Sequence, residues 1–231
     1  MARIPETIEW QQALKPIKSQ TLLADQVYEN LSHAILTRKI KPGQHLVEQP
    51  LADQLSVSRI SVREAIRRLA QDGLVEIIPS KGSFVVNLTA EDVKEIYQLR
   101  SALEMIALKE IMASNHPNFA PLDRIVAQMI ALEQKQDRLQ GAALDNQFHR
   151  TLMNLSGLAR TTRIWEQMST QITMVIYTVS SFYPSYEGLV ERHAKLVYLL
   201  RSGNYENAET YLREHIQEGA ELLLSAMSQI N

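Results

Sequence analysis

Four side chains in the second half of the sequence have the types and the spacing of a metal site. They are Asp145, His149, His193 and His215. Asp145 and His149 are four positions apart, so a helix would place both on one face. Each of the two later histidines falls in the middle of a segment with helical periodicity. If these helices pack side by side, one carboxylate and three imidazoles could converge on a single divalent cation.

This donor set favours a transition metal, with zinc first and nickel, iron or manganese as alternatives. More ordinary interpretations stay open at this stage, because an interior histidine is often a hydrogen-bonded core residue. The Asp145–His149 pair could also be a surface salt bridge worth about 0.3–0.5 kcal/mol. The other three histidines, His33, His45 and His116, have no comparable partners in the sequence.

An arginine in an apolar helix is the other candidate for chemistry. Arg100 lies in QLRSALEMIALKE, beside apolar residues at helical spacing. Such a side chain extends to solvent, pairs with an acid of the bundle such as Glu104, or binds an anionic ligand. The sequence contains no cysteine, no G-x-S-x-G, no phosphate-binding glycine loop and no H-E-x-x-H. A metal-dependent hydrolase built on the helices is the enzyme alternative, because a metal with an open coordination position could activate water.

Composition and charge are ordinary, and the length fits one large domain or two domains of usual size. The 231 residues are 45% hydrophobic and 22% charged, which is sufficient for real cores. No apolar run approaches the roughly 18 residues of a membrane-spanning helix, so we expect no membrane partner. Cysteine is absent, which fits a reducing cytoplasm. The net charge is −2, with +2 in residues 1–88 and −4 in the remainder, so DNA binding would depend on local basic clusters.

Residues 51–86, LADQLSVSRISVREAIRRLAQDGLVEIIPSKGSFVV, have the pattern of a winged helix-turn-helix. Ser61 and Glu64 form a capping-box pattern that would open the second helix. Two segments with the composition of strands, 74–78 and 83–86, follow that helix with a tight turn between them. Helix, turn, helix and hairpin in this order predict a winged helix.

The second of these helices has a basic face. Arg59, Arg63 and Arg67 recur at spacings of four, so they lie on one side of the helix. Val62, Ile66 and Leu69 lie on another side and predict its buried face. A helix with this distribution can lie in a major groove, where it neutralises phosphates and reaches the edges of the bases.

The sequence divides into three parts. We expect a flexible N-terminal arm at 1–20, a winged helix-turn-helix DNA-binding domain at 21–88 and an effector-binding and dimerisation domain at 89–231. Thr89 and Asp92 form a second capping-box pattern where the last part begins. From there to the end the periodicity is helical, without any signal for strands.

Six helices are predicted in this last part. They span about 90–114, 119–138, 141–155, 159–181, 185–202 and 205–229, and Gly141 is interpreted as one of the breaks between them. The expected fold class is therefore mainly α, with an N-terminal winged helix-turn-helix followed by an antiparallel all-α bundle of six helices.

These motifs resemble those of a known family. The segment PGQHLVEQPLADQLSVSRISVREAIRRLAQDGLVEIIPSKGSFV resembles the winged helix of GntR-family bacterial transcription regulators. The segments EDVKEIYQLRSALE and DNQFH, with His193 and His215, resemble the all-helical C-terminal domain of the FadR-like subfamily. The six C-terminal helices resemble its VanR-like branch. The resemblance spans about residues 20–228, nearly the whole chain.

The resemblance implies a cytoplasmic homodimer that binds a short palindromic operator in double-stranded DNA and acts as a repressor. A small organic or sugar acid would enter the bundle and change the affinity for DNA. By matching position, the metal ligands would be Asp145, His149, His193 and His215. Arg100 matches an arginine that is often near the effector.

The resemblance also implies which residues contact DNA. They are Gln49, Arg59, Ser61, Arg63, Lys81 and Gly82. Three positions depart from the pattern of the family: Ser56 replaces a usual glycine, Ile60-Ser61 replaces Thr-Pro, and Gln49 stands where an operator-contacting arginine can occur. Because these are turn and cap positions, we expect them to change the operator sequence and not the fold.

Overall fold

The computed structural model describes residues 21–114, 117–133, 138–178 and 188–229. Outside these residues lie the predicted arm at 1–20 and the predicted helical segments 134–137, 179–181 and 185–187. None of the helices in the described ranges is long and apolar enough to cross a membrane.

The N-terminal part is a winged helix-turn-helix, as the sequence predicts. In chain order its elements are α1 (Thr21–Leu36), β1 (His45–Leu46), α2 (Glu48–Leu55), α3 (Arg59–Gln71), β2 (Val75–Ile78) and β3 (Gly82–Val85). Helix α1 packs on α3 and buries Val27, Leu31 and Ile35, whose spacing of four places them on one face. Val62 and Leu69 of α3 are fully buried in the same core, which leaves the opposite side of α3 for solvent.

The wing is a three-stranded antiparallel sheet with the strand order β1-β3-β2. Strands β2 and β3 are the predicted hairpin, with Val75 opposite Val85. Strand β1 adds only two residues, with His45 opposite Phe84. A strand of this length has no alternation that a sequence pattern could detect, and it was not predicted.

Helix α3 begins earlier than its capping-box pattern predicts. Its cap is Ser58, whose hydroxyl oxygen accepts a hydrogen bond from the backbone N–H of Ser61 at 3.1 Å. Ser61 is therefore the third helical residue, it is buried, and its hydroxyl lies 2.9 Å from that of Ser58. The prediction that Ser61 and Glu64 cap the helix is wrong. Either serine could satisfy a backbone donor at a helix start, and the earlier one does so here.

The C-terminal part contains six helices within the described residues, as predicted. They are α4 (Ala90–Ala113), α5 (Ala120–Glu133), α6 (Arg138–Leu155), α7 (Ala159–Thr178), α8 (Leu189–Ser202) and α9 (Tyr205–Met227). Helix α4 contacts α6, α7 and α9, while α5 packs on α6 and α8. The capping box at the start of α4 forms as predicted. Asp92 N–H donates to Thr89 Oγ1 at 3.2 Å, and Thr89 N–H donates to Asp92 Oδ2 at 2.8 Å.

The break predicted at Gly141 is wrong, because α6 begins at Arg138 and continues through this glycine. A glycine inside a helix costs roughly 1 kcal/mol relative to alanine. The turns that follow it bury Ala142, Leu144 and Phe148 in the core of the bundle. Burial of side chains of this kind is worth more than the glycine penalty, so packing overrides the local signal.

Helix α7 joins the two parts of the molecule. Its Met174 is buried in the core of the winged helix, and its Gln167 Nε2 donates to the backbone oxygen of Gln71 at 2.9 Å. The side chain of Gln171 covers Gly73, which has a left-handed backbone with φ +74° just after α3. A Cβ atom at Gly73 would lie 3.0 Å from Gln171 Cγ. The C-terminal end of α3 is therefore in direct contact with a helix of the bundle.

Candidate functional site

The four predicted metal ligands converge in the interior of the bundle. Asp145 and His149 come from α6, His193 from α8 and His215 from α9. The ligand atoms that they offer all lie within 4.8 Å of one another. His149 and His193 are buried, and Asp145 is partly exposed. The structure thus brings together, from three helices, all four residues that the spacing indicated.

The closest pairs have the separation that ligands of one ion adopt. His149 Nε2 lies 3.0 Å from His215 Nε2, and His193 Nε2 lies 3.2 Å from Asp145 Oδ1. Zinc–nitrogen bonds are about 2.0–2.1 Å long, so two ligand atoms at right or tetrahedral angles are separated by about 2.8–3.4 Å. In the part of the chain that the structure describes, the buried Nδ1 of His215 has no hydrogen-bond partner. The donor set and its spacing fit a divalent transition metal.

A buried glutamate, Glu104 of α4, organises one side of this cluster. Its Oε2 lies 2.7 Å from His149 Nδ1, and its Oε1 accepts from Arg100 Nε at 2.7 Å and from Trp165 Nε1 at 2.8 Å. Because an ionised carboxylate can only accept, this contact calls for a proton on His149 Nδ1, and Nε2 of the ring faces the cluster. Glu104 therefore sets the tautomer and the orientation of one candidate ligand, as the outer partners of metal-binding histidines do.

The electrostatics of the cluster keep its groups in the states that bind a metal. Burial alone would raise the pKa of Glu104, but His149 and Arg100 lower it to about 2. Desolvation would also raise the pKa of Asp145, but its bond to His193 and the nearby positive charges hold it well below the usual range. Burial and the neighbouring histidines hold the pKa of His215 well below its usual value. At neutral pH Asp145 is anionic and His215 is neutral, as metal binding requires.

Arg100 is buried beside this network and forms an ion pair with Glu104. This pair is one of the three alternatives that the sequence allowed for Arg100. Its guanidinium lies over the rings of Tyr97 and Trp165, at 5.5 and 5.7 Å from their centroids. Burial would lower the pKa of Arg100, but the charge of Glu104 and the neighbouring groups raise it. Glu104 uses the Nε proton, and the guanidinium has further N–H donors on its two terminal nitrogens. Arg100 is thus a fixed cation beside the cluster.

The basic face of α3 is exposed, and one acidic side chain holds it in place. Arg63 Nε and Nη2 donate to the two carboxylate oxygens of Glu48 at 2.8 and 2.7 Å, while Arg59 Nη2 lies 3.2 Å from Oε2. The hydrogen bonds from Arg63 are the main reason why the pKa of Glu48 is lowered to about 2, against a small opposing effect of burial. Glu48 begins α2, so the helix-turn-helix itself orients the two arginines at the start of α3.

The other residues predicted to contact DNA from the helix-turn-helix differ in accessibility. Gln49 is exposed, and its Nε2 donates to Asp53 Oδ1 at 2.7 Å. Ser61 is buried by its place in the cap, so its side chain does not lie on the exposed face of α3, where a residue that contacts DNA was expected. Arg68 turns away from the basic face and pairs with Asp25 of α1, which gives it a structural role.

The wing explains why residue 82 is glycine. Lys81 is exposed in the turn, and Gly82 follows it with φ +112°. A Cβ atom at Gly82 would lie 2.4 Å from Nε2 of His45, whose ring stacks on Phe84 at a centroid distance of 4.6 Å. The imidazole of His45 therefore occupies the space that any larger residue 82 would need. His45, for which the sequence showed no partner, acquires one only through the pairing of β1 with β3.

Sequence reasoning missed Glu48 and Trp165, and it considered Glu104 only as a partner of Arg100. The spacing of four between Arg100 and Glu104 was a usable signal, because it places both on one helix face. No local pattern links Glu48 to Arg63, which is 15 positions away, or Trp165 to Glu104, which is 61 positions away. These contacts exist only once the helices are packed.

A winged helix with an exposed basic recognition helix, joined to a helical bundle with a buried polar site, defines a DNA-binding transcription regulator. Comparison with known proteins gives the family. Residues 23–85 match the family described as "Bacterial regulatory proteins, gntR family", and residues 95–218, more than half of the chain, match the FCD domain. The chain belongs to the GntR family of transcriptional regulators and carries an FCD domain.

Relatives of similar length support this assignment. The chain is 29% identical to the probable D-xylose utilization operon transcriptional repressor of Paenarthrobacter nicotinovorans, over 86% of this chain and 87% of that protein. It is 27% identical to the HTH-type transcriptional repressor RspR of Escherichia coli K12, over 85% and 86%. Because its family is one of transcription regulators, the hydrolase alternative is abandoned.

Solved structures confirm the fold. A putative transcriptional regulator GntR from Rhodococcus sp. RHA1 has a TM-score of 0.75 and 24% identity, over 89% of this chain and 99% of that one. E. coli McbR/YncC has a TM-score of 0.74 and 23% identity, over 93% and 100%. Both likenesses extend over the winged helix and the bundle together, so the two-part architecture is shared.

Proposed function

We propose that this protein is a homodimeric repressor whose affinity for its operator is controlled by a small carboxylate bound near a metal in the bundle. The observation that carries the proposal is the convergence of four ligand side chains in a bundle that touches the recognition helix. They are Asp145, His149, His193 and His215. The cluster is buried in the bundle, whereas the basic face that would bind DNA is exposed on α3. The cluster is therefore suited to a small effector and not to DNA. Two relatives named as repressors support the sign of regulation.

Zinc is the first choice for the metal, because imidazole nitrogens and one carboxylate are common zinc ligands, with nickel, iron and manganese as alternatives. Glu104 would orient His149 toward the ion from the opposite side of the ring. When bound, the metal would supply a positive charge, and an ion that takes a fifth or sixth ligand would also offer a coordination position for an anion. The residues of the chain would hold it, exclude water and keep the ligands in their binding states.

A small organic or sugar acid fits such a site. Its carboxylate would meet the metal on one side and the guanidinium of Arg100 on the other, and an arginine can bind a carboxylate through two parallel hydrogen bonds. The six helices of the C-terminal part support placing the chain in the VanR-like branch of the FadR-like subfamily.

Helix α7 supplies a route from the effector site to DNA. Near its start, Trp165 donates to Glu104, which in turn bonds His149. Gln167, two residues further on, and Met174, nine residues further on, contact the winged helix. An effector that displaces the network around Glu104 would therefore shift the same helix that supports the recognition helix. Such a ligand releases DNA only if it binds the DNA-incompetent arrangement more tightly.

The mode of DNA binding follows from the winged helix. A dimer with two-fold symmetry would place two recognition helices on the half-sites of a short palindrome in double-stranded DNA. The exposed residues Gln49, Arg59 and Arg63 would contact the major groove, and Lys81-Gly82 the adjacent backbone. A regulator of bacterial genes meets its operator in the cytoplasm, where we place this protein.

Arg63→Ala is expected to weaken binding to the operator without unfolding the protein. Arg63 is exposed in the second turn of α3, and loss of an arginine that contacts a base costs about 1–3 kcal/mol per contact and relaxes specificity at that base pair. Fluorescence anisotropy with operator DNA and with scrambled DNA measures both effects. Arg124→Ala, which removes an exposed arginine from the bundle, is the matched control and is expected to bind as wild type does. Equal affinities for Arg63→Ala and the control would contradict the assignment.

A carboxylate effector is expected to raise the melting temperature of the metal-loaded wild type more than that of two comparison proteins. One is the metal-free protein, and the other is Arg100→Lys, which keeps a positive charge for Glu104 but loses the bidentate fork. A thermal-shift screen of organic and sugar acids makes the comparison. An acid that stabilises all three equally binds elsewhere and would refute this site. Operator DNA should weaken binding of the same acid by the factor with which the acid weakens DNA binding, typically 5–150-fold.

A further inference from the structure

An isoleucine stands among the charged residues at the start of the recognition helix. Ile60 is the second residue of α3, and it is 64% exposed. It lies three positions before Arg63, so the two side chains are neighbours on the helix surface. Single exposed apolar residues are ordinary on protein surfaces. This one is distinguished by its place between two DNA-facing arginines, Arg59 and Arg63, which Glu48 fixes on either side of it in sequence.

Ile60 lies at the N-terminal end of the recognition helix. In a helix the Cα–Cβ bonds tilt toward the N-terminus, so the side chain of Ile60 extends toward the N-terminal end of α3. The N-terminal residues of a recognition helix are those that contact base edges. Ser61, the next residue, is buried in the cap, so Arg59 and Ile60 are the side chains that the start of this turn presents, and Ile60 is the apolar one.

The chemistry of isoleucine restricts what it can read. It has no hydrogen-bond donor or acceptor, and the only apolar feature on the major-groove edge of a normal base pair is the C5-methyl group of thymine. We infer that Ile60 is a specificity-determining residue that contacts a thymine methyl group in each half of the operator. This inference rests on the proposed docking of α3 in the major groove.

The test removes one methyl group at a time. The full-length protein first selects its operator from a randomised duplex library. Each thymine of a half-site is then replaced by deoxyuridine, which keeps the base pairing but lacks the methyl group, and affinity is measured at fixed salt. One position is expected to lose about fourfold in affinity, the factor that corresponds to about 0.8 kcal/mol for one buried carbon group.

The same scan with variants assigns that loss to Ile60. Ile60→Ala should bind the thymine operator about sixteenfold more weakly, because both protomers lose a contact that contributes about fourfold. It should show no further loss on deoxyuridine substitution at that position. Ile60→Val should keep most of the wild-type affinity and most of its sensitivity to the methyl group. Ile164→Ala, a matched change at a residue of α7 that is 53% exposed, should keep the wild-type pattern. Circular dichroism and urea midpoints establish that each variant is folded.

Two outcomes would overturn the inference alone: an enriched operator with no methyl-sensitive thymine, or a methyl-sensitive position that persists in Ile60→Ala. Failure to enrich any sequence would contradict operator binding itself, and the inference with it.

Discussion

Glu104→Ala is expected to lower the free energy of unfolding by about 3–5 kcal/mol, the usual cost of removing one partner of a buried ion pair. Glu104 is completely buried, and its removal would leave the guanidinium of Arg100 without its counter-charge. His149 Nδ1 and Trp165 Nε1 would lose their acceptor at the same time. Urea denaturation of the metal-free protein measures this effect without any contribution from a bound ion.

Two further variants separate stability from ligand orientation. Glu110→Ala changes an exposed glutamate on the same helix and is expected to unfold close to the wild-type midpoint. Glu104→Gln keeps the shape of the side chain but not its charge, and loss of the outer partner of a metal-binding histidine typically costs 10–100-fold in metal affinity. If Glu104→Ala were as stable as Glu110→Ala, the buried network would not be contributing as described.

The double variant His193→Ala/His215→Ala is expected to lose its metal completely. Wild type should hold about one divalent transition metal per chain. The variant keeps only Asp145 and His149, which cannot hold a divalent ion tightly. Because the metal binds only the folded state, chelation should lower the melting temperature of wild type and leave that of the double variant unchanged.

Elemental analysis after dialysis against each candidate metal makes this measurement, and the change in melting temperature on chelation checks it independently. His33→Ala removes an exposed histidine at the end of α1 and should retain the wild-type metal content. The metal site would be refuted if supplemented wild-type protein contained no ion, or if the double variant contained as much as wild type.

The sequence by itself determined the class of the fold and the positions of the candidate metal ligands along the chain. Apolar residues at spacings of three and four, such as Val27, Leu31 and Ile35, are a local consequence of helix geometry and predicted the helices correctly. The Thr89–Asp92 capping box was equally local and formed as predicted. Where two local signals competed, as for the cap of α3, the sequence alone did not decide between them.

The spacing along the chain was also sufficient to predict that two of the four candidate metal ligands lie together. Asp145 and His149 share a helix face by geometry alone. That His193 and His215 would face them was predicted from the bundle and the family resemblance, since no spacing along the chain fixes the register between helices.

Only the tertiary structure decided which side chains support these residues. Glu104 meets His149 and Trp165 from 45 and 61 positions away. His45 fills the space beside Gly82 only because a two-residue strand pairs with β3. The physical reason is common to these cases. Helix and cap formation depends on neighbours within four residues, whereas burial of a charge or close approach to a backbone depends on packing between segments that are distant in sequence.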